Sequence, residues 1–196
     1  MEDIDIYARH PKYNDFPLDA FFCARVKEIV EEYGITTIVE TGVDRGSSTV
    51  FFATLVDKVY GIEIMQESID FATNRLVDCG LTNVELIKGN SPIVLLSLMH
   101  KIDASKTLFF LDAHWGAYWP LLDEIDTISR NKGVLIIHDA QVPDRPDFGF
   151  DTWNGNILNY DYVKDALTDW SPTHKVEYSK EHHCHMPRGT MYVFPK

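Results

Sequence analysis

Short apolar runs alternate with helical segments through the first 140 residues. The strand-sized runs are Ile35–Glu40, Val59–Ile64, Val84–Lys88, Thr107–Leu111 and Gly133–Ile137. The spacing of apolar residues and the helix start and stop signals predict helices over Leu18–Tyr33, Ser47–Leu55, Gln66–Cys79, Ser91–Ile102 and Pro120–Arg130. Continuous apolar strands separated by helices predict a parallel sheet covered on both faces.

The order of elements changes after residue 140. Gln141–Asn156 is rich in Pro, Gly and Asp and predicts a long loop, and a helix is predicted over Asn159–Trp170. Two further strands, Lys175–Ser179 and Thr190–Pro195, are joined by residues 180–189 alone, which is too short a connection for a parallel crossover. We therefore expect an α/β protein with a doubly wound seven-stranded sheet, made of five parallel strands and a C-terminal antiparallel hairpin.

Composition fits one domain over residues 1–196, with the polar residues 1–17 as an N-terminal arm. The chain has 196 residues, of which 45% are hydrophobic, and this length can bury a core without disulfides or a structural metal. Eighteen Lys and Arg residues against thirty Asp and Glu residues give a net charge of -12. Such a chain repels phosphate backbones and anionic lipids, so neither nucleic acid nor a membrane is expected as a partner.

Cysteine usage and the first residues bear on the compartment. Cys23, Cys79 and Cys184 are odd in number and form no C-x-x-C pair, which is typical of a reducing compartment. Residues 1–3 lack the positive charge and the apolar run of a signal peptide. We expect a cytoplasmic protein, and a homodimer stays open.

A glycine-containing loop, Glu40-Thr41-Gly42-Val43-Asp44-Arg45-Gly46-Ser47-Ser48, follows the first strand. Its two glycines permit a tight turn and close approach of a ligand at a helix N-terminus. Glu40 stands where the dinucleotide fingerprint needs its first glycine, and a carboxylate suits a ligand with an ammonium and a sulfonium better than a pyrophosphate. The alternative is a turn that binds nothing.

The next two strand ends carry groups suited to a nucleoside. Glu63, followed by Ile64, lies 21 residues after Gly42, and an acid there can accept both ribose hydroxyls. Asn90 and Ser91 follow the third strand, where they can bind an adenine edge or cap the next helix. All these strand ends meet at the edge where a doubly wound sheet binds its ligand.

The loop and the strand plan together resemble the class I S-adenosylmethionine (SAM) methyltransferases. The resemblance implies a Rossmann-like methyltransferase fold that binds SAM at the carboxyl ends of its strands. The residues that it assigns to the cofactor are Glu40, Thr41, Gly42, Gly46, Ser47, Ser48, Glu63, Ile64, Asn90, Ser91 and Asp112.

Polar clusters follow strands four and five. Asp112 and His114 follow the fourth strand, and His138 and Asp139 follow the fifth. Two acids at neighbouring strand ends face one crevice, and oxygen ligands suit Mg²⁺ or another hard divalent ion. We expect Asp112, Asp139 and His138 to bind a metal, and His114, Asp112 and Asp139 to be catalytic. In the alternative, the acids only cap turns and His114 packs beside Trp115.

Between Ile35 and Phe148 the chain is similar to the catechol-type and small bacterial O-methyltransferases. The similarity rests on Phe110–Trp115, Gly133–Ala140 and Pro146–Phe148. In that family an acid after strand four and an Asp-Asn pair after strand five bind Mg²⁺. Here Ala140 stands at the Asn position, which leaves His114, His138 or Gln141 to supply the missing ligand. The family's lysine base has no match after Trp115, and His114 is the substitute base because its ordinary pKa is near neutrality.

Two further groups of residues lie near the expected site. Aromatic residues in the loops after strands four and five can wall an acceptor pocket or pack in the core: Trp115, Tyr118, Trp119, Phe148, Phe150 and Trp153. The run Glu181–His185 contains three histidines and Cys184, but consecutive side chains alternate in direction and cannot all meet one ion. We expect this run to be a polar lid loop on the ligand side of the sheet, able to contribute one histidine.

The residues predict a SAM-dependent transferase that methylates an oxygen of a small molecule, with or without a divalent metal. Sugar hydroxyl, phenol and carboxylate acceptors are all open. Two other classes stay open. One is a metal-dependent hydrolase or oxygenase that uses Asp112, His114, His138 and Asp139, although such an enzyme has no use for a ribose acid. The other is a catalytically silent SAM-binding protein.

Overall fold

Helices and strands alternate along the chain in the computed structural model, which describes residues 18–114, 118–129 and 132–196. The helices are α1 (Ala20–Tyr33), α2 (Ser47–Ala53), α3 (Gln66–Asp78), α4 (Ser91–Leu98), α5 (Leu121–Ile128) and α6 (Tyr160–Trp170). The strands are β1 (Thr37–Thr41), β2 (Lys58–Glu63), β3 (Val84–Lys88), β4 (Thr107–Leu111), β5 (Val134–His138), β6 (Thr152–Trp153), β7 (Asn156–Ile157), β8 (His174–Tyr178) and β9 (Thr190–Pro195). The expected arm over residues 1–17 and Trp115 lie outside the described residues.

Seven strands form one sheet in the order β3-β2-β1-β4-β5-β9-β8. Strands β1 to β5 are parallel, β9 runs antiparallel to β5, and β8 runs antiparallel to β9. The expected sheet, with five parallel strands and a C-terminal antiparallel hairpin, is confirmed. Because two reversals restore the original direction, β8 runs parallel to β1. The loop over residues 179–189 therefore emerges at the carboxyl edge of the five parallel strands.

The central strands of the sheet are largely apolar on both faces because helices cover both faces. On β4, Leu108 and Phe110 pack in a core layer with α1 and α2, whereas Phe109 and Leu111 pack in a second layer with α4, α5 and α6. All four side chains are buried. Helices on both faces leave the carboxyl edge as the open crevice of the sheet.

The N-terminus of α1 is tied to the loop over residues 179–189. Asp19 caps the helix, since its Oδ1 accepts hydrogen bonds from the backbone N–H groups of Phe21 (2.9 Å) and Phe22 (3.3 Å). Its Oδ2 accepts from the backbone N–H groups of His183 (2.6 Å) and Cys184 (3.3 Å). The first helix and the last loop are thus joined through one carboxylate.

Some element boundaries differ from the sequence expectation. The segment expected to be a long loop contains the hairpin of β6 and β7, whose Asn154-Gly155 turn has positive φ at both residues (47° and 81°). An Asn-Gly pair is the usual signal for such a two-residue turn. Helix α4 ends at Leu98 rather than Ile102, because the chain turns into a short 3-10 helix capped by Asp103. None of the described helices has the length and apolar character needed to cross a membrane.

Candidate active site

A cavity of about 120 Å³ opens at the carboxyl edge, among the ends of β1 to β4. Five of its lining residues are ones that the sequence predicts for a cofactor: Gly42, Glu63, Ile64, Asn90 and Ser91. The others, which the sequence does not single out as cofactor contacts, are Ile62, Gly89, Ala113, Tyr118 and Pro120. The three strand ends expected to meet a cofactor do converge on one cavity.

Glu63 is fixed at the end of β2 by the loops on either side of it. The side chain is 2% exposed, its Oε2 accepts from the Asp44 backbone N–H (3.0 Å), and its Oε1 accepts from the Met65 backbone N–H (2.8 Å). Each carboxylate oxygen keeps a second lone pair. Glu63 is therefore held rigidly and can still accept hydrogen bonds from ligand hydroxyls.

Gly42 is needed for the packing of the backbone as well as for the space of the cavity. Its φ is +80°, and a Cβ at this position would lie 2.6 Å from the Asp112 carbonyl oxygen and 3.0 Å from Ala113 Cα. The backbone of β1 can approach the end of β4 this closely only where no side chain intervenes. The space that sequence reasoning assigned to a ligand is thus occupied in part by the backbone of Asp112.

Most of the remaining loop residues build the loop and do not line the cavity. Glu40 is buried beneath α2, where its carboxyl accepts from the hydroxyls of Ser48 and Thr49 (2.5 Å for Thr49). Burial raises the pKa of Glu40 to about 8, against the opposing effect of these two hydrogen bonds. Ser47 accepts from the buried Arg75 guanidinium (2.8 Å), and the Thr41 carbonyl accepts from the Asp112 N–H (3.1 Å). Gly46 precedes α2 and also lies outside the cavity lining.

Asp112, His114, His138 and Asp139 meet at the ends of β4 and β5. His138 Nδ1 lies 3.1 Å from Asp112 Oδ1 and 3.3 Å from Asp139 Oδ1. His114 Nε2 lies 3.0 Å from Asp139 Oδ2 and 3.4 Å from Asp112 Oδ1. Asp139 is buried and has a φ of +58°, a conformation rarely adopted outside glycine and concentrated at functional sites.

Two further residues, Asp151 and Arg188, complete this cluster. Arg188 bridges Asp139 and Asp151, with Nε donating to Asp139 Oδ1 at 2.5 Å and Nη2 donating to Asp151 Oδ1. His114 bridges the other oxygens of the same two carboxylates, with Nε2 at Asp139 Oδ2 and Nδ1 3.1 Å from Asp151 Oδ2. Backbone hydrogen bonds from Gly149 to Pro187 (2.8 Å) and from Gly189 to Gly149 (2.9 Å) bring the two loops together.

The acids of the cluster favour the charged form of both histidines. Burial opposes the charge on His114, but the hydrogen bonds that its ring donates to the Asp112 and Asp139 carboxylates outweigh burial and raise the pKa of His114 to about 10. The charge of Asp112 likewise overcomes burial and raises the pKa of His138 to about 9. Burial would raise the pKa of Asp139, but His114, His138 and Arg188 together lower it. In the absence of a metal these partners favour the protonated form of His114, which opposes the role of base expected for it from the sequence.

The donor atoms fit a divalent cation. One ligand atom each from Asp112, His138 and Asp139 lie within 4.8 Å of one another, as do one each from His114, Asp139 and Asp151. Ligands at about 2.0–2.3 Å from an ion are at most about 4.6 Å apart, so little movement is needed. Carboxylates with imidazole suit Mn²⁺, Fe²⁺ or Zn²⁺ better than Mg²⁺, which prefers oxygen ligands alone.

Of the three residues expected to replace the missing strand-five ligand, the two histidines lie in the cluster. The side-chain oxygen of the third, Gln141, accepts a hydrogen bond from Asn159 (3.3 Å). Ala140 is fully buried, and the Gly189 backbone packs so closely that a Cβ on residue 189 would meet the Ala140 carbonyl oxygen.

The aromatic residues divide between cavity and core. Tyr118 lines the cavity and is 44% exposed, whereas Trp119 is buried and stacks on Tyr162 with ring centroids 5.3 Å apart. The remaining described members pack elsewhere: Phe148 is buried against the His182 ring, Trp153 packs against the core, and Phe150 is half-buried.

The histidine-rich run over residues 181–185 does not converge on one point. His182 Nε2 lies 3.1 Å from Asp147, whereas the His183 ring packs on Phe21 with centroids 4.7 Å apart. Neither of the two candidate metal sets found among the described residues includes a member of this run. The loop emerges on the ligand side of the sheet, and its contribution to the cluster is Arg188 and not a histidine.

Comparisons with known proteins agree with this architecture. No family model matches the chain. The protein-L-isoaspartate O-methyltransferase 1 of Polaromonas sp. (strain JS666) is 36% identical over 70 residues, which are 36% of this chain and 30% of that protein. This chain thus matches less than a third of the length of that curated relative.

Solved structures match over nearly the whole chain. The O-methyltransferase TomG from Streptomyces achromogenes, in complex with SAM, superposes with a TM-score of 0.67 at 14% identity, over 99% of this chain and 88% of that one. A precorrin 8w decarboxylase from Methanobacterium thermoautotrophicum gives a TM-score of 0.62 at 17% identity, over 96% of each chain. The chain has the Rossmann-like fold of the class I SAM-dependent methyltransferases, as its sequence predicts. Because a decarboxylase shares this architecture, the fold leaves the reaction to be argued from the site.

Proposed function

We propose that this chain is a SAM-dependent methyltransferase that transfers a methyl group to an oxygen of a small molecule. The observation that carries the proposal is that the cavity and the acid–histidine cluster share one wall. Gly42 and Ala113 line the cavity, and Asp112, whose backbone touches Gly42, belongs to the cluster. A cofactor in the cavity would meet an acceptor at the cluster.

The residues around the cavity suit the nucleoside part of SAM. Glu63 can accept the two ribose hydroxyls, and Asn90 and Ser91 can hydrogen-bond the edge of a base that packs against Ile64. When bound, SAM supplies an electrophilic methyl group on a sulfonium. The carboxylate of Glu63, buried at the cavity wall, favours a ligand that offers hydrogen-bond donors or positive charge.

The cluster suits the activation of a hydroxyl acceptor. Arg188 and His114 fix the two oxygens of Asp139, so this carboxylate has a defined orientation toward the crevice. Asp112, His138 and Asp139 would hold a divalent ion, which when bound would lower the pKa of an acceptor hydroxyl. A net charge of -12 supports a small acceptor over a nucleic acid. Cytoplasmic location and a homodimer stay predictions.

Cofactor binding and methyl transfer test the proposal directly. We expect SAM to bind in titration calorimetry, and label from methyl-labelled SAM to appear on one class among sugar hydroxyl, phenol and carboxylate acceptors. Binding of NAD without binding of SAM would refute the assignment of the cavity. SAM binding with no transfer to any acceptor would favour a silent SAM-binding protein.

One observation favours a second candidate function. Three carboxylates and two histidines in one cluster are also a donor set for a metal-dependent hydrolase or oxygenase. Such an enzyme would turn over in Fe²⁺ or Zn²⁺ without SAM, whereas the methyltransferase would not.

A further inference from the structure

A groove of about 450 Å³ lies between α1 and β8, apart from the cofactor cavity, and this volume is typical of small-molecule sites. Its lining includes Phe21, Phe22, Ala24 and Arg25 of α1, Glu177 of β8, and Ser179 just after β8. The acid–histidine cluster lies at the ends of β4 and β5, and β9 and β8 are the next strands of the sheet. The cluster is therefore flanked by the cofactor cavity on one side and by this α1–β8 groove on the other.

Contacts between α1 and the C-terminal hairpin mark both ends of the groove. At the carboxyl edge, the Asp19 carboxylate accepts from the backbone N–H groups of His183 and Cys184. At the other end, Arg25 Nη2 lies 3.0 Å from Glu177 Oε2 on β8. Arg25 follows Asp19 by six residues, which is about 9 Å along a helix. A space of this length suits one or two fused rings better than an extended chain.

The walls of the groove near the carboxyl edge are apolar. Phe21 is 37% exposed, and Phe22 and Ala24 are half-buried. The floor is formed by Tyr192 of β9, which packs in the core layer beneath α1. A planar ring placed here would cover exposed apolar surface, whereas a sugar would leave hydroxyl groups without partners against these walls.

The charged groups around the groove balance one another. The side chains that line it or pair with its lining are three acids and three bases: Glu28, Glu177, Glu181, Arg25, Lys175 and Lys180. Arg25 bridges two of the acids, with Nη1 3.0 Å from Glu28 and Nη2 3.0 Å from Glu177. Lys175 Nζ lies 2.5 Å from the other oxygen of Glu177. A charged ligand would therefore gain no net attraction to offset its loss of hydration.

Phe22 is the wall that the groove shares with the acid–histidine cluster. Its ring packs edge-on against His138, with ring centroids 6.1 Å apart, and lies 5.8 Å from the Phe110 ring. His138 Nδ1 in turn lies 3.1 Å from Asp112 Oδ1. A ring in the groove and the cluster would thus be separated by one side chain at the same edge of the sheet.

We propose that the α1–β8 groove binds the aromatic ring of an uncharged hydroxyl acceptor beside the cluster. This inference rests on the proposed function, because it assigns the acceptor of the methyl group. Of the three acceptor classes that the sequence leaves open, the groove selects an aromatic hydroxyl compound. Its apolar walls disfavour a sugar, and its balanced charges disfavour a carboxylate.

Three probes, one from each acceptor class, test the groove by titration calorimetry of the native chain. They are 2-naphthol, which is uncharged at neutral pH, 2-naphthoate, which has the same ring with a carboxylate, and methyl glucoside. We expect 2-naphthol to bind at least about tenfold more tightly than either of the other two. Equal or tighter binding of 2-naphthoate or methyl glucoside would overturn the proposal.

Phe21→Ala shows whether 2-naphthol binds in the groove. Loss of one aromatic wall is expected to weaken 2-naphthol binding about fivefold and to leave SAM affinity within about twofold. Tyr160→Ala is the matched control, because Tyr160 is also an aromatic residue in the first turn of a helix and is 36% exposed. Ala24→Leu fills the groove from α1 and should weaken 2-naphthol at least about fivefold, so it carries the test if Phe21→Ala is unstable. Unchanged affinity in both α1 variants would place 2-naphthol elsewhere and overturn the proposal.

Methyl transfer separates this inference from the proposed function. With methyl-labelled SAM we expect label on 2-naphthol, and Phe21→Ala should raise the KM for 2-naphthol more than it lowers kcat. Label on methyl glucoside or 2-naphthoate but not on 2-naphthol would overturn the inference and leave the proposed methyltransferase standing. Binding of 2-naphthol in the groove without transfer to it would also overturn the inference. Failure of the native chain to bind SAM would refute the proposed function itself.

Discussion

The α-carbon of Gly42 lies against the carbonyl group of Asp112, so that a Cβ on residue 42 would be 2.6 Å from the Asp112 oxygen. This contact joins the cofactor loop after β1 to the acid cluster after β4 through the backbone alone. A displacement at residue 42 must therefore move the carboxylate of Asp112 as well as the wall of the cavity. The cofactor loop and the acid cluster are therefore coupled through this backbone contact.

Gly42→Ala is expected to destabilise the fold by about 1–3 kcal/mol more than Gly155→Ala, because it adds a backbone clash to the strain of a positive φ. The control is closely matched, since Gly155 has a φ of +81° and no atom within 4 Å of its would-be Cβ. Urea unfolding of both variants gives the difference. Equal losses would show that the loop relaxes around the added methyl group.

Glu63→Gln is expected to weaken SAM binding at least tenfold, since one charge-assisted hydrogen bond to a ribose hydroxyl contributes about 1.5–3 kcal/mol. The Gln side chain can keep one backbone contact, which makes it a gentler change than Glu63→Ala. Glu85→Gln, on β3 and paired with Lys58 at the surface, is the control. Unchanged affinity in calorimetry would remove Glu63 from the cofactor site.

Removal of divalent ions with EDTA is expected to abolish methyl transfer, and Mn²⁺ is expected to restore it more fully than Mg²⁺ because the donor set includes imidazole. Asp139→Asn should reduce activity at least tenfold while SAM affinity stays within about twofold, because Asp139 belongs to the cluster and not to the cavity lining. Asp161→Asn, at an exposed position on α6, is the control. Full activity in EDTA together with collapse in His114→Ala would leave a histidine-based transferase.

Arg188→Gln is expected to lower the rate of methyl transfer at least tenfold without changing SAM affinity. Arg188 orients Asp139 and Asp151 from outside the cavity, so its loss should be felt at the acceptor. The control is Arg145→Gln, which removes a similar ion pair between an arginine and the exposed Asp147 in a neighbouring loop. If both arginine variants keep native rates, the Arg188 bridge only tethers two loops.

Without metal, the stability of the fold is expected to fall as the pH rises above about 6.5. The pKa values of His114 and His138 are raised to about 10 and 9, so their contribution is complete below the unfolded value of about 6.5 and is lost toward pH 9–10. Asp139, whose pKa is lowered, contributes in the opposite sense and loses its contribution under acid conditions.

Thermal unfolding between pH 6 and 9.5, in EDTA, measures this decline. His114→Asn should flatten it, and the exposed His100→Asn should leave it unchanged. An identical decline in the His114 variant would assign the effect to other groups.

The fold could be predicted because the central strands of the sheet, such as β4, are buried on both sides. Residues 108–111 are apolar without interruption, so the local sequence alone indicates a buried strand. The hairpin at Asn154-Gly155 had an equally local signal, but the surrounding Pro and Asp residues concealed it. The end of α4 at Leu98 depends on how the chain turns into its next element. Helical periodicity in the sequence gives no information on where that turn begins.

The candidate site was predictable where a residue ends a strand and not where a distant loop supplies it. Glu63, Asp112 and Asp139 occupy strand ends, whose position follows from the parallel sheet. Asp151 and Arg188 reach the cluster only because two loops are hydrogen-bonded to each other. Glu40 was predictable as a loop residue but not in its role. Its place in the motif does not reveal that its carboxyl group accepts hydrogen bonds from the hydroxyls of Ser48 and Thr49.

The return of β8 to the direction of the parallel strands has a consequence for how a chain of this kind can diversify. Residues 180–187 lie at the crevice, outside both strands of the hairpin and before Arg188. These residues lie outside the ladder of β5, β9 and β8, so under the proposed function the rim of the crevice is expected to tolerate changes of length or sequence without a change in strand pairing.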